Sequence, residues 1–406
     1  MLSVKTPEEA LGIIRAAFRP CMGAEAVPLR RALGRILAED VVAGEYVPDF
    51  DRSTVDGYAV RAADTFGCSE AIPALLSVAG EILMGRGAGG PLPPGACAAV
   101  PTGGALPAGA DAVVMVEHTE DFGDGTVGVL RPAAPGENLI YRGDDVRPGG
   151  LLLPAGHRLE VQDVGALAAL GLAEVPVRRR PVVGILSTGD ELVPAQAAPG
   201  PGQIRDVNAP MLAALAESCG AEPLCCGIVR DEEGLLYASA ARAAEACDVL
   251  VLSGGSSVGE RDAACRVVER MGEVLFHGVA MKPGKPTLLG RIGGKPVLGL
   301  PGHPAAAFFA GRLFLRPLLA RLCGRGLRQY ALSAVLTEAV GANHGREQYT
   351  GVFLEARDGT TYARPIRSKS GLITSLAGSD GYFCIPRDCE GIAAGERVAV
   401  TLYSVD

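Results

Sequence analysis

Five short segments of this 406-residue chain concentrate the residue types that handle charged substrates. They are Ser187-Thr188-Gly189-Asp190-Glu191, Arg230-Asp231, residues 253–260 followed by Asp262, Lys282-Pro283-Gly284-Lys285-Pro286, and Pro301-Gly302-His303-Pro304. Asp190, Glu191, Asp231 and Asp262 come from three of them, and a few carboxylates with water and substrate phosphate are how proteins hold Mg²⁺. Asp231 would serve equally well as a helix N-cap, a role compatible with the first, and Glu191 as a surface residue at a strand end. Lys282 and Lys285 flank a Pro-Gly turn that can aim two ammonium groups at one oxyanion, and the flanking prolines fix its backbone as a merely solvated turn would not require. In the run Ser253, Gly254, Gly255, Ser256, Ser257 and Gly259, small residues let backbone N–H groups approach a phosphate ahead of a helix. Alone that run is weak, since Gly-Gly-Ser is also an ordinary linker turn and the segment lacks the G-x-x-x-x-G-K-[ST] pattern.

These segments must be positioned by the elements around them. From residue 180 the chain alternates strands and helices. Strands are expected over 181–189, 222–229, 248–255 and 273–279. Helices are expected from Asn208 to about 219, capped by Asn208 with Pro210, from Asp231 to 246, and over 261–271. Runs 287–292 and 296–300 flank Gly293-Gly294 as a hairpin, and Pro304 opens a helix to about 323. This pattern calls for a doubly wound, mostly parallel α/β domain over 179–325, in which ligands bind outside the carboxyl ends of the strands. Each of the five segments leaves such an end, so one shared site is the better reading than five ordinary turns. Pro301 and Pro304 belong to it.

Ahead of that domain, residues 1–48 with 143–178 read as a helical and linker unit, with helices over 7–18 and 161–170. Residues 49–142, rich in Gly and Pro with short runs such as 74–78 and 112–117, read as an inserted β-rich domain. Residues 326–406 read as a C-terminal β domain.

Composition limits the function classes. Hydrophobic residues make up 48% and charged residues 21%, which fits a folded enzyme or binding protein of several domains. A net charge of −8, scarce aromatics and no tryptophan argue against a nucleic-acid surface. Any anion must find a local basic pocket. Lys5, Glu8 and Glu9 interrupt the N-terminus where a signal peptide would be apolar, and no run approaches a membrane span, so a soluble, cytoplasmic protein is expected. Most of the eleven scattered cysteines read as reduced core residues, and Cys384 with Cys389 lack the second ligand pair that zinc would need.

Eight blocks, in order, carry a resemblance: FDRSTVDGYAVRAAD (50–64), PTGGALPAGADAVVMVE (101–117), NLIYRGDD (138–145), GILSTGDEL (184–192), GQIRDVN (202–208), SGGSSVGERD (253–262), KPGKP (282–286) and LPGHP (300–304). Together they resemble the molybdopterin molybdenumtransferase family over almost the whole chain. The resemblance implies an elongated four-domain homodimer whose central α/β domain is of the molybdopterin-binding type. The implied activity is hydrolysis of adenylylated molybdopterin with release of AMP, coupled to insertion of molybdate, with tungstate as a possible substitute and a divalent cation such as Mg²⁺. It also implies partnership with other molybdenum-cofactor biosynthesis proteins, and neither nucleic acid nor membrane. Carried over by block, Asp56 and Thr102 contribute from the β-rich domain, Glu191, Asp231 and Asp262 line the centre, and Lys282, Lys285, Arg346 and Ser370 hold anions. The family usually carries Asn and Ser in a P-G-N-P-V-S block, where this chain has His303 and Ala306, so a hydroxyl within reach of the oxyanion is missing. Two other readings use related features: a molybdopterin adenylyltransferase, which has a similar α/β domain and glycine loop but not the flanking domains, and a non-catalytic scaffold.

Overall fold

The computed structural model describes residues 4–254, 263–327, 329–342, 344–367 and 369–404. Gly255, Ser256, Ser257, Gly259 and Asp262, all expected in the site, lie outside the described residues.

The centre is a six-stranded sheet in the order Glu222–Val229, Val182–Thr188, Val249–Ser253, Lys295–Leu300, Leu288–Ile292, Glu273–His277. The first four strands pair in parallel, and the Leu288–Ile292 strand runs against both its neighbours. Its reversal is made at Gly293 and Gly294, whose φ values of 56° and 83° suit the two-residue hairpin turn. Side chains alternate faces along the strands. Val183, Ile185, Val249, Val251, Leu298 and Leu300 pack with Leu212 of helix Asn208–Ser218 and Phe314 and Leu318 from the 304–322 segment. Leu186, Leu250, Leu252 and Val297 pack on the opposite face, with helices Glu233–Ala246 and Ala263–Met271. Strands covered on both sides must be apolar almost throughout, which is why VVGIL and VLVL carry no polar interruption.

Two expected details differ. Asn208 does not cap its helix. Asp206 does, its Oδ1 accepting from the N–H groups of Asn208 and Ala209 at 3.1 Å each, while the Asn208 amide is drawn away to other partners. The helix expected over 304–323 is broken into Pro304–Ala310 and Arg316–Leu322 by a π turn over Gly311–Leu315. Pro317 has no N–H for the usual helical bond, and a local widening absorbs the loss.

The first helix, Pro7–Ala17, starts with a capping box in which Thr6 and Glu9 bond each other's backbone N–H, and Pro7 sets the first turn. Its buried face, Ala10 and Ile14, joins the core made with Phe314 and Leu318. Strand Ala24–Pro28 pairs antiparallel with Glu174–Arg178, closing a small core of Val27, Leu37, Leu159, Leu167 and Val177. Between them lies a separate six-stranded sheet of strands from Gly57–Val60 to Thr126–Val129.

The C-terminal sheet is also six-stranded, and its outermost member is the short strand Met281–Lys282, which pairs in parallel with Glu347 and Gln348 of strand Glu347–Arg357. Aromatic edges clamp the same junction. Phe308 meets Tyr403 at 5.1 Å and Phe309 meets Tyr382 at 5.7 Å between ring centroids. Arg312, whose guanidinium sits 4.8 Å over the Tyr403 ring, also donates to the Tyr403 carbonyl. The two sheets therefore share a fixed boundary, and the Lys282 loop belongs to it. Among the described residues no helix is long and apolar enough to cross a membrane.

Candidate functional site

A cleft of about 2350 Å³ opens where the parallel strands end and the C-terminal sheet abuts them. All five chemically dense segments contribute to its lining, within the described residues. Thr188 and Glu191 come from the first, Asp231 from the second, Ser253 and Gly254 from the third. The whole of Lys282 to Pro286 and the Pro301 to Pro304 stretch complete that side. Arg346 and Ser370 join the lining from the C-terminal part of the chain.

The acids are held in place by neighbouring strand ends. The Thr188 hydroxyl donates to Asp231 Oδ1 at 2.6 Å, and the Asp231 N–H donates to Asp190 Oδ1 at 3.3 Å. Helix Glu233–Ala246 has no side-chain cap, so the Asp231 carboxylate is not spent as an N-cap. Gly189 makes room for Glu191, since a Cβ there would come 2.9 Å from Glu191 Oε1. Gly254 is required more strictly: its φ is 101°, and a Cβ would meet the Thr188 carbonyl oxygen at 2.1 Å.

The lysine loop is tied at both ends. The Thr287 hydroxyl donates to the Gly284 carbonyl at 2.7 Å, and the Val279 N–H donates to the Lys285 carbonyl at 2.8 Å. Gly284 has φ 117° and lies against the Met281 side chain, which a Cβ would meet at 2.8 Å. With Lys282 backbone-paired into the C-terminal sheet, both ammonium groups leave a rigid support.

Sequence reasoning did not assign Asn208, Asp206 or Gln348 to the site. Asn208 Nδ2 donates at 2.9 Å both to Ser253 Oγ and to the Gly302 carbonyl, joining two of the site loops. Its GQIRDVN surroundings held the signal, hidden by the capping reading. The Nε2 of Gln348 donates to the Gly341 carbonyl at 3.1 Å. Both amides line the cleft, and each has a buried oxygen without a hydrogen-bond partner among the described residues. Such acceptors suit a ligand N–H or a bound water.

Asp56 and Thr102 are not brought to this cleft within the chain. They bond each other instead: Asp56 Oδ1 accepts the Thr102 N–H at 2.6 Å and its hydroxyl at 2.9 Å, and the backbone bond above all holds the carboxyl below its ordinary value. The pair is exposed on the β-rich sheet.

The cleft can bind a polyanion, since Lys282, Lys285 and Arg346 line it together with Glu191 and Asp231. Its volume exceeds the roughly 300–1,000 Å³ of an ordinary ligand pocket, which leaves room for a substrate larger than a mononucleotide. Among the described residues no three His, Cys, Asp or Glu side chains converge as a ready metal site. Glu191 and Asp231 both line the cleft, and two carboxylates are the sparse protein ligation usual for Mg²⁺.

Comparison with known proteins places these features. The MoeA N-terminal region (domain I and II) matches residues 5–171, a probable molybdopterin binding domain matches 184–321, and the MoeA C-terminal region (domain IV) matches 333–403. The chain is 35% identical to the molybdopterin molybdenumtransferase of Bacillus subtilis, over 99% of this chain and 95% of that protein. It is 36% identical to molybdopterin molybdenumtransferase 2 of Mycobacterium tuberculosis, over 98% and 99% respectively. Its fold matches the crystal structure of the molybdopterin biosynthesis MoeA protein from Pyrococcus horikoshii, with TM-score 0.88, 35% identity, and coverage of 99% of this chain and 100% of that one.

Proposed function

The chain belongs to the molybdopterin molybdenumtransferase family, and we propose that it inserts molybdate into adenylylated molybdopterin with release of AMP. The observation that carries this reading is the cleft itself, where two carboxylates, two lysines and an arginine from four separate segments surround one large space.

The chemistry divides along that space. Lys282, Lys285 and Arg346 neutralise the phosphates and the incoming oxyanion, and the two lysines keep their aim because their loop is bonded at both ends. Ser253 and Gly254, with Gly255, Ser256, Ser257 and Gly259 beyond the described residues, offer backbone and hydroxyl donors to the phosphate. Glu191 and Asp231, with Asp262, are the residues we assign to Mg²⁺. Bound there, the ion supplies charge neutralisation at the phosphate being cleaved. Water supplies an oxygen to phosphorus as the phosphoanhydride bond breaks, and AMP leaves. The buried oxygen of Gln348 is suited to accept an N–H of the pterin.

Asp56 and Thr102 are assigned to the same site in a homodimer, contributed by the partner protomer. Their absence from the cleft lining of their own chain supports this, because a C₂ dimer can bring such a pair to the neighbouring cleft twice. Cytoplasmic residence, action on tungstate as well as molybdate, and hand-over to other molybdenum-cofactor proteins belong to the same proposal.

Incubation with adenylylated molybdopterin, molybdate and Mg²⁺ tests it. AMP release with a metal-loaded product is the expected result. Consumption of ATP with unmodified molybdopterin would make the protein an adenylyltransferase, and neither activity would make it a scaffold.

A further inference from the structure

Asn208 opens helix Asn208–Ser218, yet Asp206 caps that helix, which leaves the Asn208 side chain, on a residue 6% exposed, to a different task. Its Nδ2 donates at 2.9 Å to Ser253 Oγ, at the end of strand Val249–Ser253. The same nitrogen donates at 2.9 Å to the Gly302 carbonyl, in the loop that follows the neighbouring strand Lys295–Leu300. The two strand exits run close together. Ser253 pairs with Leu300, the Gly254 N–H donates to the Leu300 carbonyl at 3.3 Å, and a Cβ on Gly302 would lie 3.6 Å from the Gly254 Cα. One amide clasps both exits.

A carbonyl oxygen only accepts, so the Gly302 contact requires the nitrogen of the amide, not its oxygen, on that side. The same NH₂ group reaches Ser253 Oγ, which is therefore an acceptor there, and the single proton of the hydroxyl must point elsewhere. It finds no acceptor among the described residues: Ser187 Oγ, across the register on the next strand, has no hydrogen-bond partner. Ser253 is 1% exposed and lines the cleft. Gly254 beside it packs on the carbonyl of Thr188, the residue whose hydroxyl holds Asp231.

We propose that Asn208 is a positioning residue for the cleavage step: it clasps the two strand exits and turns the Ser253 hydroxyl into the cleft as a donor to the phosphate that is cleaved. The proposal rests on the molybdate-insertion reading and adds to it the residue that orients one of the donors. A serine hydroxyl can rotate to accept or to donate. The Asn208 amide fixes that choice before substrate arrives, and a preorganised donor is the kind that stabilises charge developing in a reaction.

Single-turnover AMP release from adenylylated molybdopterin by the full-length protein tests this through a double-variant cycle. Ser253→Ala should slow release at saturating substrate about tenfold or more, the usual worth of a hydrogen bond to a charged group. Asn208→Asp keeps the shape, but a carboxylate only accepts, so it draws the Ser253 proton toward itself and should slow release at least as much. In both variants the half-saturating concentration should stay within about threefold of wild type, because the bond tightens as charge builds during cleavage. With the hydroxyl already turned inward, adding Ser253→Ala to Asn208→Asp should cost less than about a further twofold. Losses that multiply in the double variant, as for a residue that only supports the fold, would overturn the proposal. Release by Ser253→Ala within about twofold of wild type would overturn it too, whether or not Asn208→Asp folds. If the wild-type protein releases no AMP, the insertion reading falls and the proposal with it; if it does and the losses multiply, only the role of Asn208 falls.

Discussion

Thr188 ends one parallel strand, Asp231 lies just beyond the end of its neighbour Glu222–Val229, and the two meet through a 2.6 Å hydrogen bond from hydroxyl to carboxylate. The bond holds the acid at the cleft wall and leaves its Oδ2 available. Thr188→Val keeps the shape of the strand end and removes the donor. We expect AMP release to fall about 10- to 100-fold, as when a metal ligand loses its supporting partner, with an increased Mg²⁺ requirement. Unchanged rate and Mg²⁺ dependence would leave the bond a purely structural one.

Replacing both Lys282 and Lys285 by Met should weaken binding of molybdate or of the adenylylated substrate by more than the roughly 0–1 kcal/mol of an exposed ion pair. The backbone of the loop is held by Thr287 and by the C-terminal sheet, so the fold should persist. Binding titrations give the answer, and an unchanged affinity would return the loop to a structural role.

The Asp56 carboxyl lies below its ordinary value because it accepts the Thr102 N–H and hydroxyl. A lowered folded-state value means that the Asp56–Thr102 contact is complete at neutral pH and is lost as pH falls through the lowered value. Thr102→Val removes the hydroxyl but keeps the backbone donor, so the titration of Asp56 should move part of the way up. Carbon-detected NMR of the carboxyl resonance would show it. A curve identical to wild type would mean that the hydroxyl contributes nothing.

Asp206 caps helix Asn208–Ser218 through two backbone N–H groups. Asp206→Ala should lower stability by about 0.5–2 kcal/mol in denaturant unfolding. An equal loss in Asn208→Ala with none in Asp206→Ala would reinstate Asn208 as the cap.

Much of this was legible in the sequence, for a physical reason. Buried parallel strands need continuous apolar runs, so Val182–Thr188 and Val249–Ser253 stood out, and the polar loops after them marked one edge of the sheet. Glu191, Asp231, Lys282 and Lys285 followed from that edge alone. Arg346 and Ser370 did not, because which C-terminal loop folds over the strand ends depends on Met281–Lys282 joining a sheet more than sixty residues away, and no periodicity encodes that pairing. Asn208 was misread because an Asn ahead of a Pro looks like a cap from local sequence; its partners, Ser253 and Gly302, are distant in the chain.

The role of Asp231 in phosphoanhydride cleavage is tested most directly by single-turnover AMP release from adenylylated molybdopterin by Asp231→Asn, in the presence of molybdate and Mg²⁺. Asparagine keeps the volume and an oxygen for Thr188, but not the charge. Release should slow about 10²- to 10³-fold, the size expected on losing one electrostatic stabiliser, with an unaltered melting profile. Release at the wild-type rate with the wild-type Mg²⁺ dependence would contradict it.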